Sequence, residues 1–357
     1  MINSLTSWRF IFAVIIFLHH YSFSGGSVFP AGGNLAVSFF FLLSGFVLAY
    51  SYGDKILHKE VSYKNFLLKR IVRLYPVHFF TFLGALFLYI GTSFLQKEAI
   101  SGEYLALGGI NLLLLQSWIP LKVVYFSYNA VSWCLSDEIF FYVLFPLLVP
   151  FFITSKFKRV CFVLGLLIAA YLMAMYFIPK AYIHSLFYIN PLFRSVDFII
   201  GIFLYKIFTT FLKNNRPLPR HEMTLMEGAS LLVIAGLLWF LNNNPGYALY
   251  AVYYWLPLSF LILTFVVSSK NTSREGEITK FLSHKIGVYL GNTSFCFFMI
   301  HQLVIRVLYA GSAYFHIDVR NWFGLILAFF LSLLGGICCY HLIELPLTKY
   351  FNSKLKR

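Results

Sequence analysis

Ten apolar segments, each long enough to cross a bilayer, punctuate this sequence: 5–23, 35–52, 76–95, 138–153, 159–178, 191–211, 224–241, 247–268, 287–309 and 322–344. A spanning helix needs about 20 mostly apolar residues to cross a hydrocarbon core of roughly 30 Å. Within lipid, every backbone polar group must be satisfied inside the protein. The runs are too long, and alternate too little, for barrel strands of about ten residues. They predict an all-α polytopic membrane protein, with about ten transmembrane helices in one bundle. Composition agrees, since only 11% of the 357 residues are charged, against about 25% in soluble domains. The fourth run is short, and its helix is expected to begin nearer Trp133 or to follow a re-entrant piece in 104–120.

The net charge of +15 follows topology rather than a polyanionic partner, so no nucleic acid is expected. Alternate loops and the C-terminal tail hold 21 of the 28 basic residues: Lys55, Lys59, Lys64, Lys69, Arg70 and Arg73, then Lys156, Lys158 and Arg159, then Lys206, Lys213, Arg216 and Arg220, then Lys270, Arg274, Lys280 and Lys285, then Lys349, Lys354, Lys356 and Arg357. The opposite loops hold only Lys97, Lys122, Lys180 and Arg320. The positive-inside rule then places both termini in the cytoplasm, which requires an even number of spans. The first segment lacks a basic leader region and a small-residue cleavage site, and it carries Arg9 within its apolar run, so it reads as a retained helix. Segment 96–137 is too short and apolar for a globular domain. Residues 1–357 are expected to form one membrane domain with no appended soluble domain. The five cysteines show no CxxC and no metal-ligand spacing, which predicts neither a structural disulfide nor a metal site.

Ionisable groups at membrane depth are costly and mark function by default. Arg9 and His20 both lie in the first segment. An offset of eleven residues puts them roughly 16 Å apart along a helix and within roughly 20° of one face, so both can line one cavity. The alternative is that Arg9 snorkels to one interface and His20 sits in the other. Arg70 and Arg73 share a helix face at a membrane border, where they can clamp phosphates or merely serve as inside charge. In SWCLSDEIFFY, Asp137 and Glu138 fall at a helix start. There they can complement the helix dipole, or Glu138 can orient a histidine. In FFFLLSGFVLAY, Ser44 and Gly45 permit close helix approach or line a channel for an acyl donor. Arg194 and Asp197, at i and i+3, predict an intramembrane ion pair. His301 lies well inside the ninth segment and reads equally as a structural residue, while Glu344 stands before Pro346 at the exit of the last.

In order, these motifs resemble the acyltransferase-3 family, integral membrane O-acyltransferases of bacterial surface glycans. The resemblance runs through Arg-x10-His at Arg9 and His20, FFLLSGF at 40–46, and RxxRxxP at Arg70, Arg73 and Pro76. It continues in the WSLxxE-like stretch at Trp133, Leu135 and Glu138 with Phe141 and Tyr142, in LGxxSFxxxxxH ending at His301, and in ExP at Glu344 and Pro346. It covers almost the whole chain. Cys134 stands where the family usually has serine, and Asp137 where a small apolar residue is commoner.

The resemblance implies transfer of an acyl group, commonly acetyl, from cytoplasmic acyl-CoA to a hydroxyl of an extracytoplasmic glycan or glycolipid. It implies no permanently bound cofactor and a place in the bacterial cytoplasmic membrane. Arg70 and Arg73 are then expected to bind CoA phosphates, with Arg9 and Ser44 along the donor path. His20 is expected to act as general base, with Glu138 holding its tautomer. The rival reading is a transporter or flippase, which predicts broken helices at matching positions of two halves.

Overall fold

A computed structural model of the protein describes residues 2–213, 218–270 and 274–354; Arg216, Lys356 and Arg357, counted above among the inside charges, lie outside them. In chain order the elements are α1 (Asn3–His20), a two-strand hairpin of β1 (Ser22–Phe23) and β2 (Gly26–Ser27), α2 (Gly32–Leu57), α3 (Tyr63–Gln96), α4 (Gly102–Leu112) and α5 (Lys122–Tyr125). There follow α6 (Trp133–Thr154), α7 (Phe157–Phe177), α8 (Pro191–Ile207), α9 (Arg220–Asn243), α10 (Val252–Ser268), α11 (Glu277–Leu282), α12 (Lys285–Phe315), α13 (Trp322–Cys339) and α14 (Leu345–Lys354). Among the described residues, eight helices are long and apolar enough to cross a membrane. They carry eight of the ten expected spans. The other two also fold as helices. One is α10, at 17 residues, which begins only after a short turn over Pro245–Tyr247. The other is α1, at 18 residues, whose apolar run is interrupted by Arg9 and ends on two histidines.

Two local features depart from the sequence expectation. The first helix stops at His20 rather than 23, because the chain turns back in the antiparallel hairpin pairing Ser22 with Ser27 and Phe23 with Gly26. Gly26 has φ +121°, which side-chain-bearing residues rarely adopt. The second departure is α3, which begins at Tyr63 instead of near 76, capped by the Ser62 hydroxyl accepting from the Asn65 amide at 3.3 Å. Its 34 residues rise about 51 Å, well beyond the hydrocarbon thickness. The basic stretch 63–75 is therefore an ordered helical extension, not a loop, and Pro76 is accommodated within the helix.

Helix α2 is central and packs against α1, α6, α8 and α10. Its crossing with α8 is backbone to backbone. A Cβ on Gly45 would strike the Phe198 carbonyl, and one on Gly201 would strike the Leu42 carbonyl. Gly45 thus serves the close approach that small residues give membrane helices. The expected ion pair is present, with Arg194 Nη1 3.6 Å from Asp197 Oδ2, both fully buried. Arg194 also donates to Ser38 Oγ at 3.1 Å, and the Trp255 indole donates to Asp197 at 3.2 Å. The pair ties α8 to α2 and α10, outside the cavity described below.

Candidate active site

The first half of α3 packs on α14 at one end of the bundle, here termed the terminal face. Close to it lies a cavity of about 130 Å³, lined by Arg9 of α1, Ser44 of α2, Arg70 and Arg73 of α3, and Glu138 and Tyr142 of α6. Its remaining wall is largely apolar, including Leu43, Val47 and Leu135. The expected donor-side residues Arg9, Arg70, Arg73 and Ser44 are thus brought together. The extension of α3 explains how, because Arg70 and Arg73 come from a rigid helix and not from a mobile loop.

The charges here are close without being paired off. Arg9, Arg70 and Arg73 act on Glu138, and Arg9 and Arg73 act on Glu344. Yet among the described residues no guanidinium of the three comes within 4.0 Å of a carboxylate oxygen. Glu138 instead accepts from the Tyr142 hydroxyl at 3.0 Å, and Glu344 from the Cys296 thiol at 3.0 Å. Guanidiniums facing a cavity with their donors uncommitted suit an anionic ligand.

His20 lies at the other end of α1 from Arg9, and its partner is not the expected one. Its Nδ1 is 2.9 Å from Nε2 of His301, whose own Nδ1 is 2.6 Å from the Phe298 carbonyl. A carbonyl only accepts, so His301 carries its proton on Nδ1 and offers a lone pair at Nε2. His20 must then donate from Nδ1, which leaves its Nε2 as a free lone pair with no hydrogen-bond partner among the described residues. The pairing of His20 with Glu138 is thereby corrected. Glu138 belongs to the arginine cluster, and a histidine–histidine–carbonyl chain orients the His20 imidazole. A neutral chain fits this depth, where a buried carboxylate would cost more.

The cavity stops one helical turn short of this chain. Its far wall includes Ile16, four residues before His20, and Phe298, three before His301, together with Phe40. The Phe40 and Phe298 rings lie 6.3 Å apart between centroids on this wall. Sequence reasoning missed these two aromatics, since phenylalanine fills this chain. It also missed Asn129, whose amide donates to the Met299 carbonyl at 2.8 Å, and Gln302, which accepts from the Val131 amide at 3.1 Å. These two contacts bracket His301 and pin the segment before α6 onto α12. The adjacent polar pair His301-Gln302 inside an apolar run was the available signal.

The chain is thus a multi-pass helical bundle with an arginine-lined, largely apolar chamber at one end and an oriented imidazole beyond it. The sequence profile of the acyltransferase domain family matches residues 2–341, and the chain belongs to that family of acyltransferases. It is 28% identical over 287 residues to acyltransferase MdmB of Streptomyces mycarofaciens, covering 77% of this chain and 68% of that protein. It is 24% identical over 344 residues to a Staphylococcus aureus (strain COL) protein named for an inferred O-acetyltransferase activity, covering 89% of this chain and 53% of that one. This chain spans about half the length of those staphylococcal relatives. No solved structure matches it.

Proposed function

We propose that this protein is a membrane O-acyltransferase that takes an acyl group, by default acetyl, from cytoplasmic acyl-CoA and delivers it to a hydroxyl of an extracytoplasmic glycan or glycolipid. The terminal face is then cytoplasmic, both termini included, and the membrane is the bacterial cytoplasmic membrane. The observation that carries this reading is the arrangement along α1. Uncommitted guanidiniums stand at one end, and an imidazole with a free Nε2 stands at the other. The family and the O-acetyltransferase name of the staphylococcal relatives support the reaction class.

In this reading CoA phosphates rest on Arg70 and Arg73, and the pantetheine arm runs past Arg9, Ser44 and Glu138 toward Phe40 and Phe298. Opening of the two rings brings the thioester to His20. There Nε2 of His20 takes the proton of the acceptor hydroxyl as its oxygen attacks the thioester carbonyl carbon. Collapse of the tetrahedral intermediate breaks the C–S bond, and the proton passes from His20 to sulfur, so CoA leaves as the thiol. His301 holds the Nδ1–H of His20 throughout, which keeps the reactive lone pair aimed and stabilises the transient imidazolium.

The test is transfer of label from acetyl-CoA to a surface glycan acceptor by the purified, reconstituted protein. His20→Ala is expected to lower the rate by about 10²–10⁴-fold, the usual worth of a general base, with membrane insertion intact. Undiminished transfer by that variant would refute the role given to His20.

A further inference from the structure

Between the chamber and the terminal face lies a second cavity, of about 370 Å³, lined by Tyr52, Lys69, Arg70, Arg73, Thr348 and Asn352. It shares Arg70 and Arg73 with the inner chamber, so the two cavities adjoin at these side chains. The characters differ. The inner chamber is walled mainly by aliphatic and aromatic side chains, whereas every residue lining the outer one carries a polar group.

Three of these lining residues each hold a buried polar atom that lacks a hydrogen-bond partner among the described residues: Arg70 Nε, Thr348 Oγ1 and Asn352 Oδ1. Each costs free energy while unsatisfied, so a small rearrangement that turns it to a polar ligand in the cavity is favoured. One is a fixed cationic donor, one a hydroxyl and one a carboxamide oxygen beside its own amide donor. Arg70 is further oriented by the Tyr52 ring, whose centroid lies 4.5 Å from its guanidinium carbon, and by Phe66 at 5.7 Å. The last helix is shaped to present this wall. Glu344, Thr348 and Asn352 recur every four residues and form one stripe. The π-helical turn over Tyr340–Glu344, with its extra residue, alters the facing of α14, and both that turn and α14 pack on α3.

We infer that this outer cavity holds the nucleotide of the donor, a purine nucleoside carrying more than one phosphate, and that Thr348 and Asn352 read its base and ribose. Lys69, Arg70 and Arg73 meet the phosphates, the first as a point charge and the others as planar forks. The carboxamide of Asn352 can accept from an exocyclic amine and donate to a ring nitrogen, and Thr348 can pair with a ribose hydroxyl. The inner chamber then takes only the slender arm and its acyl group. This rests on the acyl-CoA reading above and deepens it. Binding energy from the remote nucleotide would select the free CoA thioester over donors that carry the same arm without adenosine, such as an acylated carrier protein.

The experiment uses the full-length protein in detergent or nanodiscs. Binding of adenosine 3′,5′-bisphosphate is measured by calorimetry, and kcat/KM is compared for acetyl-CoA and for acetyl-phosphopantetheine. The wild type is expected to bind the bisphosphate and to prefer acetyl-CoA. In Asn352→Ala and Thr348→Ala that preference falls about tenfold each, the equivalent of one lost hydrogen bond, and bisphosphate affinity falls in parallel. Equal losses on both donors, or no loss, would overturn the assignment, and the turnover of acetyl-phosphopantetheine reports that the variants are folded. Bisphosphate binding without transfer from either donor would refute the acyl-transfer reading and leave the nucleotide site standing. Absence of both in the wild type would overturn both.

Discussion

His20 owes its position, and the face it shares with Arg9, to helical spacing alone. Its partner cannot be read that way, because His301 lies 281 positions away and no spacing rule reaches across a fold. The resemblance assigns Glu138 to orient His20, whereas the structure places it beside Arg9 and the Tyr142 hydroxyl. The exchange has kinetic consequences. His301→Ala is expected to lower kcat about 10²-fold with little change in KM, because a misaimed base loses orientation rather than substrate binding. It is also expected to shift the pH profile of kcat, since the lone pair opposite His20 Nδ1 is gone. Glu138→Gln is expected to act mainly on KM for the donor and to leave that profile in place. Steady-state kinetics across pH checks both, and a pH shift in the Glu138 variant alone would restore the pairing of Glu138 with His20.

At the scale of elements, hydropathy located the helices but not their ends. The apolar count starts the third span at 76, whereas the Ser62 cap starts α3 at Tyr63 and makes the chamber-lining arginines Arg70 and Arg73 part of a rigid rod. Hydropathy is blind to such an extension because the residues that prolong it are charged. The small-residue motif was legible in kind, and the structure divides its work: Gly45 lets α2 and α8 touch, while its neighbour Ser44 faces the chamber. A side chain at the partner position has no room. Gly201→Val is expected to cost about 3 kcal/mol or more, since overpacking costs about 1–3 kcal/mol even where side chains can yield. Gly165 on α7 faces open space, so Gly165→Val is the matched control with little loss. Thermal unfolding in detergent compares the two, and equal midpoints would contradict the crossing.

For the whole molecule, charge asymmetry proposed which face meets the cytoplasm, and the structure put the arginine-lined chamber at the face where the basic stretch of α3 begins. What composition could not reveal is the barrier. Phe40 and Phe298 stand on the chamber wall toward the histidine pair, and in the proposed reaction they keep a donor in the chamber from His20 until the rings part. Phe298→Ala is expected to raise acetyl-CoA hydrolysis in the absence of acceptor severalfold, because water then reaches the thioester beside the base. Release of free thiol measures this, and a wild-type rate would show that the rings are only packing.

In the proposed reaction, donor and acceptor meet from opposite sides of one membrane. Vesicles containing protein of known orientation test it most directly, with labelled acetyl-CoA supplied only at the terminal face and the glycan acceptor present only at the other. Acylated acceptor is expected in that arrangement, and is expected to be lost in His20→Ala. Transfer that occurs only when both substrates share one side would contradict it.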